Sequence, residues 1–291
     1  MEVFVAQLLN GLSLGSIYVL LVTGFNLMIL VARIIQFAYP HIVVLSMYAC
    51  WEVLKLTNNA FLALLSCIAA SVILNILSEL IFRRLTNREG VDINVSFVIS
   101  MGMAMVITDI MSHSLNYGFP ITFPAFWVGG SLIRFGLITL SKGQIYALVG
   151  SLVTVLIFFY LLYRTKQGRV FRAMAENRYV ARLIGIPIVK TSIFSYIIAG
   201  LLGGFIAILF SMLLGSASPN LGEFVALKVI AVSIVAGLGN LKGGLVCGLL
   251  LGIAEAMAMG YISGSWSNAI SFIMMLMIVL IKPQGLFGTQ I

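Results

Sequence analysis

The chain has 291 residues, of which 61% are hydrophobic and 9% are charged, and its formal net charge is +8. Soluble domains contain about 45–50% apolar and about 25% charged residues, so this composition excludes a soluble globular fold and a disordered chain. It predicts an all-α membrane protein, because long apolar runs in a bilayer satisfy their backbone hydrogen bonds by forming helices.

Apolar runs of about 20 residues, the length a helix needs to cross the hydrocarbon, follow one another along the chain. Eight of them cover residues 4–31, 37–54, 60–82, 92–114, 143–163, 191–214, 244–261 and 266–281. A shorter run at 224–239 is either a ninth span or a re-entrant or broken helix. We therefore expect a polytopic helical bundle of about 8–9 transmembrane helices in a single domain over residues 1–291.

The placement of charge predicts the orientation of these segments. If all nine cross and the N-terminus lies outside, thirteen Lys and Arg residues fall on the inner side and three on the outer side. This bias follows the positive-inside rule and makes residues 164–190 a basic cytosolic loop. The first 30 residues lack a basic leader and a small-residue cleavage site, so they are interpreted as a retained span.

The basic loop carries an amphipathic pattern. One helix over 168–186 would place six apolar residues on the same side: Val170, Ala173, Met174, Val180, Ala181 and Ile184. Arg172 and Glu176 are spaced for an i, i+4 pair on the opposite flank, and Gly185 followed by Pro187 is a stop signal. Small residues suit close protein packing, so the pattern slightly favours docking of a partner over resting on anionic lipid.

Glycine recurs every four residues in the last third of the chain. The positions are Gly244, Gly248, Gly252 and Gly260, with Ala256 in the same register. Glycine is costly inside a helix, so this face predicts a neighbouring helix at close approach. Static packing is the favoured interpretation, and a sliding interface in a transporter is the alternative.

Few ionisable residues lie within the apolar runs. Asp109 and Glu255 are the deepest carboxylates, and such residues are functional candidates because a charge in lipid is costly. They permit an ion-coupled secondary carrier as an alternative function, although interhelical hydrogen bonds would explain them equally. Lys228 is interpreted as reaching the interface from the end of a short segment.

Motifs for enzymatic and metal chemistry are missing from the sequence. There is no GxxxxGK[ST] loop, no HExxH or paired CxxC, and no GxSxG elbow, while His41 and His113 lie far apart. The sequence therefore predicts neither an enzyme nor a metal or cofactor site in this chain. The positive charge follows membrane topology, so a nucleic-acid partner is not expected.

Four stretches resemble the permeases of the branched-chain amino acid ABC importer family (LivH/LivM type). RTKQGRVFRAMAENRYVARLIGI (164–186) resembles the cytosolic loop of that family. The opening span (10–29), the glycine-rich segment NLKGGLVCGLLLGIAEA (240–256) and KPQGLFG (282–288) resemble family segments in the same order. The matching loop positions are Arg164, Thr165, Gly168, Arg169, Arg172, Ala173, Ala175, Glu176, Asn177, Ala181, Arg182, Leu183, Gly185 and Ile186.

This resemblance implies a LivH-like permease subunit in the bacterial plasma (inner) membrane. It would translocate branched-chain amino acids or related small polar solutes, such as urea and short amides, driven by ATP hydrolysis on partner subunits. The implied partners are a second similar permease, two ATPase subunits that bind the ATP, and an extracytoplasmic substrate-binding protein.

The resemblance also implies which loop residues couple the permease to the ATPase, and the sparse polar residues in the spans suggest a translocation pathway. The expected ATPase-coupling residues are Arg169, Arg172, Ala173, Ala175, Glu176, Asn177, Ala181, Arg182 and Gly185. The candidates for the translocation pathway are Asn26, Gln36, Tyr39, His41 and Asn94. For Gln36 to His41, a kink beside Pro40 with locally satisfied backbone groups is the alternative. The run IQFAYPHIV (35–43) departs from the family pattern A-H-G-E, so leucine is not assumed to be the substrate.

Overall fold

The computed structural model describes residues 2–85, 93–128, 132–135 and 138–261, together with residues 269, 272, 273, 276, 277, 280, 282 and 285–287. For residues 2–3, 93–94, 132–135 and 138–140 it describes the backbone alone. The predicted span 266–281 and the terminal motif 282–288 therefore lie largely outside the described residues.

Long helices dominate the described part of the chain. They are α1 (Glu2–Ala32), α2 (Tyr39–Thr57), α3 (Ala60–Leu85), α4 (Ile93–His113), α5 (Ala125–Val128), α6 (Lys142–Arg164), α7 (Lys166–Glu176), α8 (Arg178–Leu183), α9 (Ile188–Leu214), α10 (Leu221–Ala236) and α11 (Leu241–Tyr261). Six of the helices in these ranges are long and apolar enough to cross a membrane: α1, α3, α4, α6, α9 and α11. The chain is thus an all-α polytopic membrane protein.

Within the described residues, four short strands lie in the segments that connect the helices. β1 (Ile121–Thr122) pairs antiparallel with β4 (Ser216–Ala217), and β2 (Leu132–Phe135) pairs antiparallel with β3 (Ile138–Ser141). Trp127 of α5 donates a hydrogen bond from Nε1 to Ser211 Oγ of α9 at 2.8 Å. This bond anchors α5 to the end of α9.

α1 is the central helix of the bundle. From Ile17 to Met28 every one of its side chains is buried, and it packs most extensively against α11. The glycines of both helices make this approach possible. A β-carbon at Gly11 would lie 2.6 Å from Ile253 Cα, and one at Gly252 would collide with the backbone of Gly15. Close backbone packing of this kind stabilises helix pairs where the hydrophobic effect is weak.

The glycines singled out in α11 all face α1. Added β-carbons would meet Val22 from Gly244, Val19 from Gly248 and Gln7 from Gly260. The glycine face of α11 is thus buried within this subunit. By contrast, α3 and α6 bury only about a fifth of their most hydrophobic windows and present apolar side chains outward. Those two helices offer surfaces to lipid or to another subunit.

Candidate functional site

The basic loop begins with a sharp reversal after α6. Thr165 ends α6 and caps α7, since its Oγ1 accepts a hydrogen bond from the backbone N–H of Gly168 at 3.2 Å. Gly168 packs against the carbonyl oxygens of Leu161 and Leu162, where a β-carbon would not fit. The Thr-x-x-Gly spacing therefore has a local physical cause, which is a cap followed by a residue without a side chain.

The helix predicted over 168–186 is wrong in one respect, because it is two helices. Asn177 has an extended backbone, and its Oδ1 accepts hydrogen bonds from the N–H groups of Tyr179 (2.9 Å) and Val180 (3.1 Å). This side chain caps α8 and interrupts the helical path after Glu176. Gly185, with φ of +83°, then ends the segment.

The break divides the predicted apolar stripe. Met174 and Ala181 are buried against the bundle, while Val180 and Ile184 face outward. The stripe is therefore not one continuous docking face, because α8 starts with a new rotation relative to α7. Phe171, which was not predicted to be part of the stripe, is fully buried and lies 6.0 Å from the ring of Phe194 in α9.

A compact apolar patch is left exposed on the loop. Tyr179, Val180, Leu183 and Ile184 occupy neighbouring positions on α8 and its end, with between 48% and 71% of their surface exposed. We call these four residues the α8 surface. Sequence reasoning placed only Val180 and Ile184 in the stripe, since one helix over 168–186 would turn Tyr179 and Leu183 away from Val170, Ala173 and Met174.

The charged residues of the loop divide into anchors and exposed groups. Arg172 donates from Nη1 to the carbonyl oxygen of Leu162 at 2.8 Å, and among the described residues it forms no ion pair with Glu176. Arg178 donates from Nη1 to the carbonyl oxygen of Ala32, the last residue of α1, at 3.4 Å. Burial, and then the nearby charge of Arg33, lowers the pKa of Arg178.

The other predicted coupling residues take different positions around α7 and α8. Arg169, Glu176 and Arg182 are exposed, whereas Ala173 and Ala175 are half-buried. The segment is thus anchored through its buried residues and offers charge beside the α8 surface. Because the segment is attached to α1, α6 and α9, a displacement of its exposed face would move these three helices as well.

Four of the five predicted pathway residues, Asn26, Gln36, Tyr39 and His41, are buried inside the subunit. Asn26 Nδ2 donates to the carbonyl oxygen of Asn240 at 3.3 Å, and Tyr39 OH donates to that of Ala199 at 3.1 Å. His41 packs on Gly222 at the start of α10. The side chain of Asn94 is outside the described residues. These contacts are packing interactions, and the pathway role of the five residues stays a prediction.

Gln36 joins a polar row that sequence reasoning missed. Ser71, Asn75 and Ser78 lie on one face of α3, and all three are fully buried. Gln36 Nε2 donates to Ser78 Oγ at 2.7 Å. Gln36 Oε1 and Asn75 Oδ1 are buried and have no hydrogen-bond partner among the described residues. The i, i+4, i+7 spacing of polar residues in an apolar run was the available signal.

Lys228 and Glu255 form a buried ion pair, so the predicted snorkelling of Lys228 is wrong. Lys228 Nζ lies 2.5 Å from Glu255 Oε1, and Tyr18 OH donates to Glu255 Oε2 at 2.8 Å. Asp109 is far more exposed and pairs with His113 in its own helix. The two carboxylates of the carrier alternative thus lie in different surroundings, one compensated by a lysine and one at the surface.

Comparison with known proteins shows which family the sequence resembles. Residues 7–279 match the family model "Branched-chain amino acid transport system / permease component". The chain is 23% identical to the high-affinity branched-chain amino acid permease LivH of Escherichia coli and 26% identical to BraD of Pseudomonas aeruginosa, each over 98% of this chain and 96% of the relative. It is 25% identical to a probable LivH of Methanocaldococcus jannaschii, over 95% and 90% respectively.

The match covers nearly the whole membrane bundle, and the relatives are transport permeases rather than enzymes. The predicted cytosolic segment α7–α8, α11 and α1 from residue 7 onward all lie inside the matched residues. This chain therefore belongs to the branched-chain amino acid transport permease family and is a permease subunit of the ABC importer type.

Proposed function

We propose that the chain works in the bacterial inner membrane with a second similar permease, two ATPase subunits and an extracytoplasmic binding protein. The imported solutes would be branched-chain amino acids or related small polar compounds. The observation that carries the proposal is the α8 surface, an apolar patch on the side of the bundle where the basic residues cluster. The names of the relatives support the substrate class, and the departure at 35–43 keeps it broad.

The proposed topology has nine crossings, with the N-terminus outside. α10 supports this count although it has only 16 residues. Its start follows β4, beside the outer segment 121–128, and its end contacts Leu286, whose N–H donates to the carbonyl oxygen of Val235. α11 runs back from the end of α10 to Tyr261, so Tyr261 and Leu286 lie on opposite sides of the bundle, as the nine-crossing topology requires. A single permease domain over residues 1–291 is part of the same proposal.

The α8 surface suits docking of an ATPase. Full burial of one aliphatic or aromatic side chain stabilises an interface by about 1.5–3 kcal/mol. Burial of these four residues against a partner would therefore stabilise the complex considerably. Contiguous exposed apolar patches of this kind mark interaction sites. Arg169, Glu176 and Arg182 would fix the register around the patch, because rim charges contribute specificity more than affinity.

Coupling would pass from the α8 surface through the anchors of the loop. Arg178 links α8 to the end of α1, and Arg172 links α7 to the end of α6. Closure of paired ATPases would displace α7 and α8 together with these helix ends. Such a shift requires that nucleotide bind the two conformations with different affinity.

The polar row supports the pathway assignment of Gln36. A buried carbonyl oxygen without a partner costs about 1–3 kcal/mol, so Gln36 Oε1 and Asn75 Oδ1 are placed to receive a solute or water during transport. Replacement of Asn75 by Leu should then reduce uptake while leaving the assembled complex intact. Normal uptake by this variant would remove the row from the pathway.

A subunit census tests the proposal as a whole. The tagged chain is purified from its own membranes in mild detergent, and its partners are identified by mass spectrometry. The proposal predicts an ATPase and a second permease in fixed stoichiometry, and ATP-dependent uptake after reconstitution with the binding protein. Recovery of the chain alone, with uptake that needs no ATP, would contradict it.

A further inference from the structure

A cavity of about 210 Å³ opens where the coupling segment meets the bundle. It lies between the end of α1, the end of α6, the middle of α7 and the turn from α10 to α11. Its lining includes Leu30, Leu162, Tyr163, Arg172, Asn240 and Lys242. We call it the basic cavity. A single water accounts for about 30 Å³ of liquid, so the space admits a larger group.

Two cations border the basic cavity and share one aromatic ring. Arg172 Cζ lies 5.2 Å from the ring centroid of Tyr163, and Lys242 Nζ lies 5.6 Å from the same centroid. The three ion pairs among the described residues all lie elsewhere, so neither cation is neutralised by a carboxylate there. Arg172 uses one N–H on the Leu162 carbonyl and retains other donors of its guanidinium. The cavity is therefore preorganised for an anion.

Apart from Asn240, the remaining lining side chains are apolar, and further apolar side chains lie beside the cavity. Leu30 and Leu162 contribute aliphatic surface. On α11, Val246 and Leu250 follow Lys242 at intervals of four residues, and both are about half exposed. Tyr160 is similarly exposed one turn before Tyr163 on α6. A ligand with a phosphate at one end could place it between the two cations and lay its hydrocarbon along the apolar side chains. A free phosphate would leave those apolar side chains uncovered.

We propose that the basic cavity binds the phosphate of an anionic membrane lipid, with Arg172 and Lys242 as its ligands. The inner leaflet attracts basic residues, and basic pockets between transmembrane helices on the cytoplasmic side hold lipid headgroups. The inner-leaflet position rests on the proposed topology. Because Arg172 belongs to α7 and Lys242 to α11, the bound lipid joins the coupling segment to the core of the bundle.

Lipid retention by the purified full chain tests this site without a transport assay. The chain in a neutral detergent is titrated with phosphatidylglycerol or phosphatidylcholine, and bound lipid is counted by native mass spectrometry. Wild type should retain phosphatidylglycerol preferentially, and Arg172→Gln/Lys242→Gln should weaken that retention by about fivefold for each lost cation. Arg84→Gln/Lys190→Gln, which removes two exposed cations outside the cavity, is the matched control and should behave as wild type.

Lys242→Glu separates lipid binding from folding, since the Lys242 side chain is exposed and makes no ion pair among the described residues. It should lose the preference for phosphatidylglycerol while eluting as wild type in gel filtration. Equal retention of the two lipids by wild type, or equal losses in the control variant, would overturn the proposal. Binding of inorganic phosphate that the cavity variants abolish, without a preference for phosphatidylglycerol, would assign the site to a free anion and overturn it as well. A failed subunit census would leave these results unaffected.

Discussion

Lys228 Nζ and Glu255 Oε1 lie 2.5 Å apart in the interior of the bundle, on two helices joined by the short turn 237–240. Tyr18 of the central helix contacts both groups, donating to the carboxylate and accepting from the ammonium at 3.2 Å. The three residues therefore tie α1, α10 and α11 together. Removal of either charged partner leaves the other charge buried without its countercharge, which costs more than the complete pair contributes.

Lys228→Met should accordingly lower the free energy of unfolding by about 3–5 kcal/mol. The triple variant Lys228→Met/Glu255→Leu/Tyr18→Phe should regain most of this loss, because it removes both charges and the hydroxyl together. Thermal unfolding in detergent measures both effects, with the exposed Lys190→Met as control. A single variant as stable as wild type would show that the pair contributes nothing to the fold.

Gly252 provides a second test of the core. Gly252→Val should prevent folding or strongly reduce the yield of folded protein, because its side chain would overlap the backbone of Gly15 in α1. Gly102→Ala in α4 is the matched control, since open space surrounds that position. It should be tolerated and should stabilise the helix by about 0.5–1 kcal/mol. Similar yields of both variants would contradict the α1–α11 packing.

Asn177 tests the break in the coupling segment. Asn177→Ala should destabilise α8 by about 1 kcal/mol, since it removes the acceptor for two backbone N–H groups. ATP-driven uptake should fall while the bundle remains folded. Asn59 caps α3, on the predicted outer side, through the same pair of contacts, and Asn59→Ala should leave uptake unchanged. Equal uptake by both variants would argue against a role for the cap in coupling.

Leu183 tests the docking of the α8 surface. Leu183→Asp places a charge in the apolar patch and should reduce recovery of the ATPase with the permease by tenfold or more, since burial of an unpaired charge costs several kcal/mol. Leu85→Asp changes a similarly exposed leucine at the predicted cytosolic end of α3. Its effect on ATPase recovery should be small. The docking assignment fails if Leu183→Asp assembles as wild type does.

The sequence was sufficient for the features that depend on local pattern. The apolar runs at 60–82, 143–163 and 191–214 fall within α3, α6 and α9, because length and hydropathy determine a spanning helix. The glycine repeat predicted a closely packed neighbour for α11. It did not show that the neighbour is α1, since helix pairing depends on contacts far apart in sequence.

The predictions that the structure corrected failed for definite physical reasons. Asn177 divides the loop because its side chain replaces a helical hydrogen bond, which a periodicity argument does not register. Lys228 pairs with Glu255, 27 residues away, only because α10 and α11 fold back on each other. The α8 surface was missed because one helix over 168–186 would turn Tyr179 and Leu183 away from the predicted stripe. Candidate residues identified by type, such as Asn26 and His41, proved to be buried in packing contacts whose functional role the fold alone does not determine.

Site-specific photocrosslinking tests the central claim most directly. A photoreactive phenylalanine derivative replaces Tyr179 on the α8 surface or, as control, Tyr117, which is 90% exposed on the predicted outer side. The account predicts an ATP-sensitive crosslink from position 179 to an ATPase subunit and none from position 117. Absence of an ATPase crosslink at 179, in membranes where the importer is assembled and active, would contradict it.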